Sequence, residues 1–168
     1  YKIYSKFNCI QFHTSNLPKF RGGSPIQNQI ISGVTRTKIT AFRVGKKIDS
    51  GDICMKSNIS LTGKAQKIYE NVERKSIKMI NKIIKQKKLK FFSQKGKITY
   101  FKRRKPDDSN LNLIKKPTIL RISNFINMLD AKNYPNAFVQ IKDFRILFNN
   151  SKLYKNKIYG KFKIIKKK

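Results

Sequence analysis

The single histidine of the chain, His13, is the side chain best suited to exchange a proton near neutral pH. It directly follows an apolar run that predicts a buried strand over Lys6 to Phe12, and it opens a loop rich in Pro and Gly. Sheets of the α/β class place reactive groups at the ends of their strands, so this position suits a catalytic imidazole. A structural or surface role is the commoner alternative for a histidine judged by position alone.

A carboxylate, Asp49, lies in the polar turn between Gly45 and Gly51. An aspartate in such a turn usually only shapes the backbone, although a carboxylate can also orient an imidazole and help to move a proton. Cys9 and Cys54 form no spaced metal motif, and a lone histidine excludes a His-rich metal site. We therefore predict no metal and expect two buried thiols in a reducing compartment.

Two sequence blocks surround these residues. The first reads CIQFHTSNLPKFRGGSPIQ over 9–27, and the second reads TKIT over 37–40 and KIDSGDI over 47–53. The first resembles the signature of the folate-dependent formyltransferases, Asn-x-His-x-Ser-Leu-Leu-Pro-x-x-Arg-Gly, followed by Pro-Ile-Gln in the tRNA-type branch. The second is similar to that family's Thr-Gly-Val-Thr and Leu-Asp-Thr-Gly-Asp-Ile. The matching positions of the first signature are His13, Ser15, Leu17, Pro18, Arg21, Gly22, Pro25, Ile26 and Gln27.

The second half of the chain extends the resemblance to about residues 7–148. FKRRKPDDS over 101–109 looks like the Arg-x-Pro-Glu-Asp-Gly linker of sugar formyltransferases. FINMLD over 125–130 and YPNAF over 134–138 are similar to the Leu-Ile-Arg-Ala-Leu and Tyr-Pro-Gly-Ala-Phe of the same enzymes.

The resemblance implies an N-formyltransferase that moves a formyl group from 10-formyltetrahydrofolate to a primary amine. It implies that His13 and the residue at the family's Asn position, Gln11, donate hydrogen bonds to the developing oxyanion. It gives Asp49 the task of orienting the imidazole and helping to move the amine's proton. The residues implied to contact substrate or folate are Ser15, Pro18, Arg21, Gly22, Gly45 and Ile48.

Gln11 departs from the family pattern, because glutamine is one methylene longer than asparagine. Loss of one oxyanion donor typically lowers a rate by ~100–1000-fold. Gln11 could donate from a strand set slightly back, or it could point away and leave a weak or altered enzyme. Asn16, where the family often has Leu, is a second departure.

The formyl acceptor has two candidates. A nucleotide-linked amino sugar is favoured by the short C-terminal region and by the motif over 134–138, whereas methionyl-tRNA is favoured by Pro25-Ile26-Gln27 and by the net charge. We take the sugar as the main prediction. Arg21 could bind a substrate phosphate or pair with backbone carbonyls, and the basic run over 102–105 could contact a polyanion or simply be solvated.

The formal net charge of +32 favours a polyanion partner, but an AT-rich codon bias explains an even spread of lysines equally well. Two alternatives follow: a basic nucleic-acid-binding protein without catalysis, with Tyr154, Tyr159 and Phe162 among lysines, or an inactive formyltransferase remnant. Because residue 1 is Tyr, we expect the chain to begin inside a longer protein. No apolar run approaches the length of a membrane span, and we expect a cytoplasmic location.

The order of predicted elements indicates an α/β fold, the second half of a Rossmann-like formyltransferase domain with a small β-rich C-terminal appendage. We predict a partial catalytic domain over 1–90 and a linker, helix and β-rich region over 91–168. Ser24 should cap a short helix with Gln27 in a capping box, and 62–84 should form an amphipathic helix lying on the sheet. Ala137 to Phe148 should be one strand, and the terminal lysines 166–168 should be solvated.

Overall fold

The computed structural model describes residues 3–166, so Lys167 and Lys168 of the predicted solvated end lie outside the described residues. Its strands are β1 (Ile10–His13), β2 (Arg21–Gly22), β3 (Arg36–Arg43), β4 (Ile53–Ser60), β5 (Tyr100–Phe101), β6 (Ala137–Ile141), β7 (Phe144–Tyr154) and β8 (Lys157–Lys166). Its α-helices are α1 (Pro25–Ile31), α2 (Ala65–Ile84) and α3 (Ile119–Asn127), and short 3-10 turns cover Ile3–Ser5, Pro106–Ser109 and Leu111–Leu113. Within residues 3–166, none of the helices has the length and apolar content that crossing a bilayer requires.

The first sheet has the order β1-β3-β4 and is antiparallel throughout. Its central strand β3 is buried on both faces, because Ile39 and Ala41 point one way while Thr40 and Phe42 point the other. Ile39 and Ala41 pack with residues of β4 and with Met79 of α2, so that helix covers one face of the sheet. The opposite face carries the loop that follows β1, since the Thr40 hydroxyl donates to the carbonyl oxygen of Ser15 at 2.6 Å.

The predicted amphipathic helix is present as α2, although it begins at Ala65. Ile68 and Met79 are fully enclosed, whereas Ile80 and Ile84 are exposed. Successive residues are turned by about 100° around a helix, so the two exposed isoleucines fall beside the buried arc. The lysines of the outer face remain in solvent, as expected for a helix lying on a sheet.

The C-terminal region is a three-stranded antiparallel sheet, β6-β7-β8, packed against α3. The prediction of one strand from Ala137 to Phe148 is wrong, because the chain reverses at Lys142, whose φ is 47°. Apolar residues flank this turn on both sides, so hydrophobicity alone did not reveal it. The core of this region contains Phe125, Ile126, Met128, Leu129 and Ala137.

The mixed α/β fold with a β-rich C-terminal part is confirmed, and the two parts are linked by a short parallel pair of β2 and β5. Phe20 stacks on Phe101 with ring centroids 5.0 Å apart. A Cβ atom at Gly22 would overlap the carbonyl oxygen of Phe101, so only glycine permits this approach. The division of the chain at residue 90 stays a prediction.

The predicted capping box at α1 is wrong. Ser24 adopts a left-handed conformation with φ 47° and makes no side-chain cap hydrogen bond. Its hydroxyl instead accepts the backbone N–H of Arg104 at 3.1 Å, because the returning chain lies beside it. Cys9 and Cys54 are half-buried and unpaired, and burial raises the pKa of the Cys54 thiol.

We predict that Gly51→Ala destabilises the fold, because the added methyl would overlap the carbonyl oxygen of Arg43 on the neighbouring strand. The free energy of unfolding should fall by about 2 kcal/mol or more, as expected for backbone strain. Gly45→Ala is the matched control in the same turn, because a methyl group added at Gly45 would meet no atom within 4 Å. Urea denaturation measures both variants, and equal stability for the two would contradict the packing described at Gly51.

Candidate active site

His13 is the last residue of β1, and its side chain is only 6% exposed. Its ring Nε2 lies 2.7 Å from the carbonyl oxygen of Phe20. A carbonyl can only accept, so Nε2 carries a hydrogen and donates it to Phe20. This contact fixes the ring and leaves Nδ1 as the nitrogen available for chemistry.

Asp49 lies against that nitrogen, with its Oδ2 3.5 Å from His13 Nδ1. The carboxylate is 5% exposed and also accepts the backbone N–H of Gly22 at 2.8 Å. Two lone pairs facing each other in a buried site repel, so this geometry favours a hydrogen-bond donor between Nδ1 and Oδ2. The two atoms are therefore positioned to contact one donor group together.

Gln11 lies two residues before His13 on β1, so both side chains emerge from the same face of the strand. Gln11 is exposed, and its Nε2 is 3.5 Å from Asp49 Oδ1. The amide thus points toward the carboxylate instead of away from it. The three residues predicted to be catalytic are together at the end of β1.

Gln94 makes hydrogen bonds to the backbone of the turn that carries Asp49. Its amide nitrogen donates to the backbone oxygens of Asp49 and Gly51 at 2.9 and 2.8 Å. Its side-chain oxygen accepts from Arg21 Nη2 at 2.6 Å. Asp49 has a φ of 48°, a conformation that non-glycine residues adopt only when their surroundings impose it. Gln94 supplies part of that constraint.

Arg21 is 6% exposed and faces neutral partners, with Nη1 donating to the Tyr100 hydroxyl at 3.0 Å. Its Nε is buried and makes no hydrogen bond. The guanidinium therefore holds the chain segment 94–100 against the turn, and its predicted contact with a substrate phosphate stays a prediction. Sequence reasoning missed Gln94 and Tyr100, because they lie more than 70 residues beyond Arg21 in a segment with no periodic pattern.

The remaining predicted binding residues fall into two groups. Ser15 and Pro18 are buried inside the loop after β1, where the Ser15 hydroxyl donates to the carbonyl oxygen of Lys19 at 2.7 Å. Gly45 and Ile48 lie on the outside of the Asp49 turn, and Ile48 is 70% exposed. Ser15 and Pro18 therefore stabilise the loop from its buried side, whereas Gly45 and Ile48 are accessible to a ligand. Within residues 3–166, no cluster of His, Cys, Asp and Glu could hold a metal ion.

The basic run over 102–105 is divided by burial. Arg104 is half-buried, lies 5.5 Å from the Phe125 ring centroid and donates to the backbone oxygen of Asp108. Burial is the main cause of the lowered pKa of Arg104. Its exposed neighbours Lys102, Arg103 and Lys105 remain candidates for the predicted polyanion contact.

Comparisons with known proteins identify the family of this chain. The family profile described as formyl transferase matches residues 4–86, and the one described as methionyl-tRNA formyltransferase, C-terminal domain, matches residues 106–165. A solved methionyl-tRNA formyltransferase from Clostridium thermocellum is 35% identical, superposes with a TM-score of 0.91, and is covered to 71% by 98% of this chain. The chain belongs to the formyl transferase family.

Curated members of the family are longer than this chain. Methionyl-tRNA formyltransferase from Thermosipho melanesiensis is 26% identical over 164 residues, which are 94% of this chain and 49% of that protein. The chain thus spans about half the length of the curated formyl transferases that it matches. WlaRD, a sugar 3N-formyl transferase solved in the presence of dTDP and 5-N-formyl-THF, shares the fold at 21% identity and a TM-score of 0.64, with 94% of this chain covering 64% of it.

Gln94 lies outside both segments that match the family profiles. A substitution at this position tests whether its side chain supports the Asp49 turn. We predict that Gln94→Ala lowers the free energy of unfolding by about 1–3 kcal/mol, because it leaves backbone and guanidinium groups without partners. The ring ¹⁵N resonances of His13 should shift as the Asp49 turn relaxes. These resonances are unambiguous, since the chain has one histidine.

Gln86→Ala is the matched control, because Gln86 is an exposed glutamine just beyond α2. It should leave both stability and the His13 resonances unchanged. Identical His13 spectra for wild type and Gln94→Ala would contradict the link between Gln94 and the pair of His13 and Asp49.

Proposed function

We propose that the protein containing this chain is an N-formyltransferase that uses 10-formyltetrahydrofolate and acts on the amino group of methionyl-tRNA. The observation that carries the proposal is the buried pair of His13 and Asp49, 3.5 Å apart beside Gln11. An imidazole beside a carboxylate suits the removal of a proton from an attacking amine. An adjacent amide donor suits an oxygen that gains negative charge.

Each residue has a distinct task in this proposal. His13 Nδ1 and Asp49 Oδ2 would receive the proton that the amine loses when its nitrogen bonds to the formyl carbon. The bond between that carbon and folate N10 would then break, and the same proton would pass to N10, so that tetrahydrofolate leaves with its amine restored. While the proton is on the pair, Nδ1 and the amide of Gln11 would donate hydrogen bonds toward the formyl oxygen. Gly22 N–H keeps the carboxylate in place throughout. Because Phe20 fixes Nε2, the ring need not turn between these steps.

The turn over residues 45–49 is the candidate wall of the folate site. Open space lies outside Gly45, and the exposed Ile48 offers an apolar surface for a flat ring. The folate supplies the formyl group as an electrophile. The residues of the turn would bind and orient it, and the structure of WlaRD with 5-N-formyl-THF supports a folate site in this fold.

Methionyl-tRNA is better supported as acceptor than the amino sugar that we predicted from sequence. The C-terminal match is to the methionyl-tRNA formyltransferase profile, and the 35% identical structure is such an enzyme. The sugar enzyme considered above is more distant, at 21% identity. The net charge of +32 is also suited to a polyanionic acceptor. The cytoplasmic location expected from the sequence stays a prediction.

RNA binding without catalysis is a second candidate, and the β7–β8 hairpin favours it. Tyr154 and Tyr159 are 63% and 57% exposed, and their cross-strand partners are Lys157 and Lys152. Aromatic rings between lysines can stack on bases while the ammonium groups contact phosphates. RNA binding with steep salt dependence and no formyl transfer would favour this candidate.

We expect His13→Ala to lower kcat for formyl transfer by ~100–10,000-fold in the complete natural polypeptide, because general acid–base catalysis and an oxyanion donor are lost together. Discontinuous assay with formyl-labelled donor and methionyl-tRNA measures the rate. Asp52→Asn, which neutralises an exposed acid beyond the same turn, is a control that should retain the rate. Unchanged turnover in a folded His13→Ala variant would refute the assignment.

A separate prediction concerns Gln11. Gln11→Asn should preserve or raise kcat, because the shorter amide restores the donor of the family signature while the strand is unaltered. A fall of tenfold or more in kcat would mean that the longer side chain has its own role at the carboxylate of Asp49. Circular dichroism confirms that the variant is folded before its kinetics are compared.

A further inference from the structure

A groove of about 690 Å³ lies beside the candidate active site. Its walls are the loop after β1, the start of β3, the end of β4 and one turn of α2. Phe20 joins it to the catalytic centre, because the Phe20 carbonyl accepts from His13 while the same residue lines the groove. The lining residues that the argument uses are Asn16, Lys19, Arg36, Lys38, Asn58 and Lys75.

The groove is positively charged and has no acidic lining residue. Lys19, Arg36, Lys38 and Lys75 come from three different elements and line it together. The four ion pairs among residues 3–166 involve other cations, so none of these four side chains forms an ion pair with a carboxylate. Like charges held together without a counterion repel one another, and an anionic ligand removes that repulsion.

Lys56 is a further cation that contacts a lining residue, because its ammonium donates to Asn16 and to the carbonyl oxygen of Leu17 at 2.6 and 2.7 Å. Desolvation first, and the charge of Lys38 second, lower the pKa of Lys56. Lys38 and Lys56 are thus close enough to influence one another. A bound phosphate would favour the charged form of Lys56.

Lys38 is a departure of this chain from the family signature. The segment Thr37-Lys38-Ile39-Thr40 aligns with the signature Thr-Gly-Val-Thr, so a lysine stands where the signature has glycine. Glycine contributes no charge to this wall. Lys38 therefore adds to this wall a charge that the signature lacks.

We propose that this groove binds the phosphate backbone of a single RNA strand next to the loop that follows β1 and contains Phe20. The inference rests on the proposed function in one respect, which is that an RNA-borne amine must reach His13. Cations spread over the loop, β3 and α2 suit several successive phosphates, whereas one compact diphosphate would meet only part of the set. The amides of Asn16 and Asn58 can bond base edges, and the exposed part of Phe20 can stack on a base.

The test uses the full chain and an unstructured oligouridylate of about 10 nucleotides, within the site sizes typical of single-strand grooves. The groove variant is Arg36→Gln/Lys38→Gln/Lys75→Gln. We expect its affinity to fall at least tenfold at fixed salt. The slope of log affinity against log salt should become shallower by about 2, because each lost phosphate contact contributes about 0.7 on a single strand.

The matched control is Lys82→Gln/Lys85→Gln/Lys88→Gln, which removes the same charge from exposed lysines at the far end of α2. It should change affinity less than threefold. Equal losses in the two triple variants would show that binding follows net charge alone, and they would overturn the proposal. Lys38→Arg should retain binding, which distinguishes lost charge from disturbed folding.

A nucleoside diphosphate, UDP, provides a second arm. One outcome is that UDP binds the wild-type chain as tightly as the oligonucleotide does and fails to bind the groove variant. In that case the groove is a nucleotide site, and the RNA-strand proposal is wrong. These assays contain no folate and no aminoacyl group, so they do not depend on formyl transfer. Absent turnover with intact groove binding would count against the proposed function and leave the groove assignment standing.

Discussion

The carboxylate of Asp49 depends on three contacts from the segment 11–22, which is far from it along the chain. Gly22 N–H donates to it, His13 Nδ1 faces it, and Gln11 approaches its other oxygen. A buried carboxylate is tolerated only when such partners offset the loss of hydration. The loop after β1 and the turn before β4 must therefore meet, and much of the surrounding structure serves that contact. The left-handed backbone at Asp49 is the local cost of directing the carboxylate inward.

The segment after residue 90 completes this arrangement. Gln94 holds the backbone of the Asp49 turn, and Thr99 accepts the N–H of Phe20 at 2.7 Å. Phe20 in turn accepts from His13, so both catalytic candidates are positioned by a stretch that is separated from them along the chain. Glycine at position 22 allows the two backbones to approach closely enough for these bonds. Function and folding share the same contacts here.

Charge acts at two levels in this molecule. The excess of lysine gives a long-range attraction for anions that does not depend on shape. Four cations line the groove beside the loop, and no acidic residue lines it with them. We therefore expect the attraction for anions to be strongest in the groove. Phe20 both lines the groove and accepts a hydrogen bond from His13. An RNA strand bound in the groove would therefore lie beside the loop that follows β1.

The sequence by itself determined the family, the α/β class, the candidate catalytic residues and an amphipathic helix, predicted over 62–84 and found over 65–84. These features depend on local periodicity and on two sequence blocks. Only the tertiary structure decided that Asp49 faces Nδ1, that Ser24 bonds Arg104 instead of capping α1, and that the chain reverses at Lys142. It also placed Gln94 beneath the turn and gathered the cations of the groove. Each of these depends on contacts between distant segments or on one backbone angle, and neither leaves a periodic trace in the sequence.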